Sequence, residues 1–302
     1  MNLNNSQIAR SVPLTMASSN LTPGGNGRSM GVILVDAGRI SPGNAERVML
    51  HQRQNGGIGF GEAGRMLGLL SDDDVRFALS VQFDYSYLPA ESSLSHELVA
   101  AYQPDSPAVE QLRMLRSQLM LRWFDNSAEH KGLAVLSASA GEGRSYIAAN
   151  LAIVFSQLGE RTLLIDADLR TPRQHRLFSL GHRAGLSDML VGLAGTDAVM
   201  GIGALPNLSV LQAGTLPPNP QELLGRQSFP KLLQSLGKDF DVMIIDTPAA
   251  SACADAHTIA VRAGAALIVA RQDKSSMPQL AQLTRSLREF GVTLVGSVLN
   301  DS

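Results

Sequence analysis

Cysteine is nearly missing from this chain. Cys253 is the only one in 302 residues, which excludes an internal disulfide framework and a metal site built on several thiolates, and which suits a reducing compartment. Long apolar runs are missing too. A membrane-spanning helix needs about 18 consecutive apolar residues, whereas stretches such as AALIVA (265–270) have the length of a sheet strand, so no transmembrane segment of its own is expected. Charge of one sign is also scarce: 25 Lys and Arg against 27 Asp and Glu leave a net charge of -2. Such a balance supplies no overall field for nucleic acid or anionic lipid. The first 27 residues are rich in Asn, Ser, Pro and Gly and lack the apolar centre of a signal peptide, so 1–27 is expected to be a disordered tail.

What is present is enough apolar material, 44% of the chain, for cores in two domains. Residues 31–52, GVILVDAGRISPGNAERVMLHQ, are echoed by 61–82, GEAGRMLGLLSDDDVRFALSVQ. Gly31/Gly61, Gly38/Gly68, Ser41/Ser71 and Gln52/Gln82 recur at a spacing of 30. Each unit predicts a short helix, a glycine stop, a serine N-cap and a second helix with one apolar face. A helical repeat domain over 28–88 follows, its two hairpins burying their faces against each other. Residues 89–106, with Ser and Pro, read as a linker.

From 107 onward the class changes. Strand candidates LAVLSA, RTLLIDA, LSVLQA, DVMIID, AALIVAR and TLVGSVL alternate with helical patterns such as SYIAANLAIVFSQLG and MPQLAQLTRSLREFG. Such alternation predicts a doubly wound α/β domain with a mostly parallel sheet, 107–302, whose ligands sit beyond the carboxyl ends of the strands.

The first strand runs into SASAGEGRS, which opens a helix. In a phosphate-binding loop, G-x-x-x-x-G-K-[ST], backbone N–H groups cradle phosphates, the lysine reaches the outer phosphates and the hydroxyl ligates Mg²⁺. Here Gly143 and Ser145 fit, while Ala138 replaces the first glycine and Arg144 the lysine. Arginine keeps the charge but not the compact ammonium, which leaves two readings open: a neutral exchange, or a brake on phosphotransfer. Two further strands end in aspartate, LLIDADLR with Asp166 and Asp168, and DVMIIDTP with Asp246. In a parallel sheet these ends share one edge, so Ser145, Asp166, Asp168 and Asp246 are candidates to converge on a hard cation and a triphosphate.

In order and spacing these motifs, with HELVAAYQPDSPAVEQLRMLRSQL and LQAGTLPPNPQELL, resemble the bacterial tyrosine kinases that accompany polysaccharide chain-length determinants, most closely the exopolysaccharide EpsG type. The resemblance runs from about Leu94 to the C-terminus. It implies a P-loop ATPase fold and an ATP- and Mg²⁺-dependent tyrosine autokinase regulating exopolysaccharide polymerisation and export. It also implies a cytoplasmic protein held at the membrane by the cytoplasmic segment of a polysaccharide copolymerase, cycling through homo-oligomeric rings. Carried over position by position, Ala140, Gly141, Glu142, Gly143, Arg144, Ser145 and Tyr146 would line the nucleotide, with Asn300 near adenine. Arg144, Asp166 and Asp168 would be catalytic, and Ser145, Asp166, Asp168 and Asp246 would serve the metal. Glu110, Arg113 and Arg116 form the family's E-x-x-R-x-x-R motif, at three-residue steps along one exposed helical stripe, and would meet a neighbouring subunit.

One departure concerns the acceptor. The tyrosines are Tyr85, Tyr87, Tyr102 and Tyr146, and the sequence ends in LNDS rather than in a tyrosine-rich tail, so phosphorylation of such a tail is not expected of this chain. A nucleotide-gated adaptor without kinase chemistry is therefore an alternative. A positioning ATPase of the MinD/ParA kind is another, although Ser139 stands where that group carries an additional lysine. Residues 28–88 resemble the N-terminal domain of type II secretion ATPases (MshEN type), some of which bind cyclic di-GMP. Glycines at 31, 38, 61 and 68 match, but Ser29 and Gly59 replace the expected arginines, which favours docking to a partner over that ligand.

Overall fold

A computed structural model describes residues 28–83, Leu88 and 92–301. The predicted tail 1–27 and two tyrosines, Tyr85 and Tyr87, lie outside these residues.

Four helices open the chain: α1 (Met30–Asp36), α2 (Pro42–Gln54), α3 (Phe60–Met66) and α4 (Asp72–Gln82). Ser41 caps α2 through the Asn44 N–H, and Ser71 forms a capping box with Asp74 at α4. Gly38 (φ 69°) and Gly68 (φ 64°) turn the chain between the helices of each pair in the left-handed region that favours glycine. Ile33, Leu34, Ile40, Ala45, Val48, Ala63, Leu70 and Ala78 form a core of their own. A Cβ on Gly31 would lie 3.1 Å from the Phe60 ring, and one on Gly61 would lie 2.9 Å from Val75. These two glycines let helices approach each other.

Next come α5 (Val99–Tyr102) and α6 (Pro107–Arg122). The described part of the expected linker is packed rather than free. Leu98, Ala100, Ala101 and Tyr102 are buried in the main core, because the buried Asn150 accepts the Ala100 N–H (2.9 Å) and donates to Glu97 O (2.9 Å). A side chain that satisfies two backbone groups at once fastens this segment.

The remaining elements are β1 (Gly132–Leu136), α7 (Arg144–Gln157), β2 (Thr162–Asp166), α8 (Gln174–Leu177), α9 (Leu186–Leu190), β3 (Met200–Gly201), β4 (Leu208–Leu211), α10 (Pro220–Gly225), α11 (Ser228–Leu236), β5 (Val242–Asp246), α12 (Asp255–Ala263), β6 (Ala265–Arg271), α13 (Met277–Glu289) and β7 (Thr293–Asn300). The six strand candidates all form. They build one sheet in the order β3-β4-β2-β5-β1-β6-β7, parallel throughout except for the two-residue β3. Strands β1, β2 and β5 are buried at every position, as continuous Val/Ile/Leu runs are when helices cover both faces. Helix α7 is apolar all round and buried for nearly its whole length, as a helix enclosed by the sheet and its neighbours must be.

Candidate nucleotide site

The strand order positions the site. β1 lies between β5 and β6, and β2 lies beyond β5, so the loop after β1 is flanked on one side by two aspartate-ending strands and on the other by the turn after β6. Helix α7 starts from Gly143, whose φ of 99° is left-handed, and no side chain caps it. Its first-turn N–H groups are thus left for a ligand, and an uncapped N-terminus behind a glycine loop favours anions. Ala140 and Gly141 form the exposed tip. Glu142 turns inward, fully buried, accepting from the Ser139 N–H (2.7 Å) and from the Ser275 hydroxyl.

Arg144 is buried. Its Nε donates to Thr247 O (2.9 Å), and Nη1 donates to Ser139 O (2.9 Å) and to the Ser137 hydroxyl. The guanidinium therefore laces the base of its own loop to the end of β5.

Asp166 and Asp246 sit opposite each other in register at the ends of β2 and β5, and both are fully buried. Asp166 accepts the N–H groups of Asp168 (3.3 Å), Arg173 (3.0 Å) and Gln174 (2.9 Å). Burial, and then the Asp246 charge beside it, push its carboxyl well above the usual range. Burial likewise pushes Asp246 up to about 6, against the pull of the Ser145 hydroxyl, the Gln174 amide and the Arg144 charge. Two adjacent desolvated carboxylates are unfavourable without a cation between or beside them.

Gln174, which sequence reasoning passed over, ties the site together. Its Nε2 donates to Asp246 Oδ2 (2.8 Å) and to Ser145 O (3.1 Å), while its backbone holds Asp166. The second oxygen of Asp246, Oδ1, and the Gln174 Oε1 are buried without a hydrogen-bond partner. Orphaned acceptors beside a hydroxyl and raised carboxylates fit a hard divalent cation. Among the described residues no three His, Cys, Asp or Glu side chains gather into a metal cluster.

Asp168 does not join this pair. Its carboxylate is taken up by the turn that follows, accepting from the Arg170 N–H (3.2 Å), the Thr171 N–H (2.9 Å) and the Thr171 hydroxyl (3.0 Å). Arg170 in turn pairs with the buried Asp255 (2.8 Å) at the start of α12. Beyond that turn a cavity of about 690 Å³ is lined by Arg170, His175, Arg176, His182 and Arg183. Asn300 donates from Nδ2 to Glu142 O (3.3 Å). Asn300 and the half-buried Tyr146 share the lining of a cavity of about 320 Å³ against α6. The E-x-x-R-x-x-R stripe is exposed only in part: Glu110 is exposed and bonds Arg113 (3.2 Å), while Arg116 is half-buried and donates to Val154 O (2.9 Å) on α7.

Against known proteins, this geometry has close counterparts. The family model described as "Cellulose biosynthesis protein BcsQ" matches residues 131–297. "Tyrosine-protein kinase YwqD" of Bacillus subtilis is 34% identical over 209 residues, spanning 69% of this chain and 87% of that protein. The chain belongs to the bacterial tyrosine kinase family. By the matched model its P-loop domain belongs to the BcsQ family as well. "Tyrosine-protein kinase ptk" of Acinetobacter johnsonii is 36% identical over 205 residues, which is 68% of this chain but 28% of the relative. This chain thus spans little more than a quarter of that kinase. Among solved structures, the kinase domain of Escherichia coli tyrosine kinase ETK superposes with a TM-score of 0.64 at 30% identity, covering 70% of this chain and 82% of that one.

Proposed function

We propose that this member of the kinase family binds Mg·ATP at the carboxyl edge of its sheet and transfers a phosphoryl group to a tyrosine hydroxyl, regulating exopolysaccharide polymerisation, chain length and export. The observation that carries this reading is the buried Asp166/Asp246 pair, raised in pKa and left with an orphaned oxygen beside Ser145. Mg·ATP supplies the phosphoryl group and neutralising charge when bound. The loop 140–146 cradles phosphates through its N–H groups, Ser145 and Asp246 hold the cation's side of the site, and Gln174 keeps Asp246 and the start of α7 in place. Asp166, at the same edge of the sheet, is the group to take the tyrosine proton once a bound cation lets it ionise. Catalysis of this type is positioning and charge neutralisation rather than covalent chemistry.

The acceptor is sought outside the described tyrosines. Tyr102 is buried and its hydroxyl donates to Leu94 O (2.6 Å), and Tyr146 is half-buried. The cationic cavity beyond Asp168 suits a tyrosine flanked by acidic residues. The family resemblance further supports a membrane copolymerase segment as partner, a cytoplasmic location at the inner membrane, and self-assembly through Glu110, Arg113 and Arg116. Among the described residues no helix is long and apolar enough to cross a membrane.

For residues 28–83 we favour docking to a partner over cyclic di-GMP, because packing or chain reversal accounts for Gly31, Gly38, Gly61 and Gly68. A nucleotide-gated adaptor without kinase chemistry is the second reading, favoured by the tethered Arg144. Incubation with labelled ATP, Mg²⁺ and an acidic tyrosine peptide, scoring phosphotyrosine and released phosphate separately, decides between them. Phosphotyrosine supports the kinase. Nucleotide binding with neither product supports the adaptor.

A further inference from the structure

The P-loop carries no lysine, and its one cation, Arg144, spends three hydrogen bonds on Thr247 O, Ser139 O and the Ser137 hydroxyl. A triphosphate in this cradle would meet a loop cation whose Nε and Nη1 are already committed to the protein. Two others arrive from the turn after β6. Arg271 Nη1 and Lys274 Nζ each lie 3.2 Å from the same atom, Gly141 O, at the exposed tip of the loop. One neutral carbonyl does not need two cations, and among the described residues neither side chain is in a salt bridge. The Lys274 ammonium lies so close over Gly141 that a Cβ there would sit 2.5 Å from Nζ.

The turn is built to hold them. Asp273 has a φ of 58°, a left-handed conformation that few non-glycine residues adopt and that marks functional sites when surroundings enforce it. The enforcement is visible: Gln272 N–H donates to Asn300 O (2.8 Å), Arg271 N–H donates to the Ser275 hydroxyl (2.7 Å), and that hydroxyl donates to Glu142 of the P-loop. These bonds fasten the turn to the loop.

We propose that Arg271 and Lys274 are the phosphate-binding cations of this site, delivered from the β6–α13 turn in place of the missing P-loop lysine, while Arg144 is a structural strap. This inference rests on the nucleotide-binding reading above. Leaving the Gly141 carbonyl costs each side chain little, and a phosphate oxygen offers a charge-assisted bond in return. Exposed before binding, the pair should also confer a salt-dependent affinity.

Calorimetry on the full chain with Mg·ATP tests it. Lys274→Gln and Arg271→Gln should each weaken binding about 10-fold, and the double variant about 100-fold, with the thermal midpoint of the nucleotide-free protein unchanged. The charge-conserving pair Lys274→Arg/Arg271→Lys should restore most of the affinity, and the double Gln variant should lose part of the salt dependence. Wild-type affinity in a folded double Gln variant overturns the inference and leaves the nucleotide site standing. A loss that the charge-conserving pair fails to restore assigns the effect to turn structure and also overturns it. Absence of Mg·ATP binding by the wild type removes the site and this inference together.

Discussion

Arg144 shows how a residue's neighbours, rather than its type, set its role. Arginine in a P-loop suggests a phosphate ligand, yet its Nε and Nη1 are engaged by oxygens of Thr247, Ser137 and Ser139. Arg144→Ala strips the donor from the buried Thr247 O and leaves Ser139 O to the Ser137 hydroxyl alone, at about 3 kcal/mol, so a midpoint drop of roughly 5 to 10 °C is expected in thermal denaturation. A lysine has one nitrogen and cannot serve both ends of the fork. Arg144→Lys should therefore also melt lower, and a higher midpoint would contradict the strap. Asp246 gives the second residue-scale prediction. Burial raises its carboxyl to about 6, above the ordinary aspartate range, so the folded state holds a proton that the unfolded chain releases near pH 4. This contribution to stability is present below about pH 4 and is lost as pH rises through about 6. Asp246→Asn removes the titration, and in Mg²⁺-free buffer the variant should be more stable than wild type above pH 7 by about 2 kcal/mol. The two should converge near pH 4. Equal stability across that range in denaturant titrations would show the carboxylate to be ordinarily solvated.

At the scale of elements, single side chains decide how segments attach. Asn150, on α7, satisfies Ala100 N–H and Glu97 O at once, and the core takes Leu98, Ala100 and Tyr102 along with them. Asn150→Ala strands both backbone groups, a loss of about 2 kcal/mol. Amide exchange over 97–102 should rise well before global unfolding, with the rest of the sheet unaffected. In the N-terminal helices the comparable device is the Ser71 capping box with Asp74. Removing it with Ser71→Ala should cost about 1 kcal/mol, read as faster exchange in the first turn of α4.

At the scale of the whole molecule, the proposed self-assembly is tested on the Glu110, Arg113 and Arg116 stripe. Arg116 is committed to Val154 O inside its own fold, so an interface test that removes it confounds assembly with stability. Glu110, with a side-chain exposure of 64%, and Arg113, at 24%, are the better probes. Glu110→Lys/Arg113→Glu should turn assembled protein into monomer in light scattering while leaving the midpoint of the monomer unchanged. The same mass for variant and wild type would leave this stripe as plain surface.

Sequence alone determined the class and the order of the parts. Val, Ile and Leu runs of strand length between helical periods can only be buried in a parallel sheet covered on both faces, and each aspartate that ends such a run must lie on the sheet's carboxyl edge. Asp166, Asp246 and the Gly143 turn were legible for that reason, as were the Ser41 and Ser71 caps, because all of these depend on residues a few positions apart. Other features depended on contacts that no spacing encodes. Gln174 reaches Asp246 across 72 positions, Arg144 reaches Thr247 across 103, and Lys274 reaches Gly141 across 133. Strand order, which places β1 between β5 and β6, creates these meetings. Only tertiary structure could therefore turn Arg144 inward, hold Asp168 in its own turn, and bring a lysine to a loop that has none.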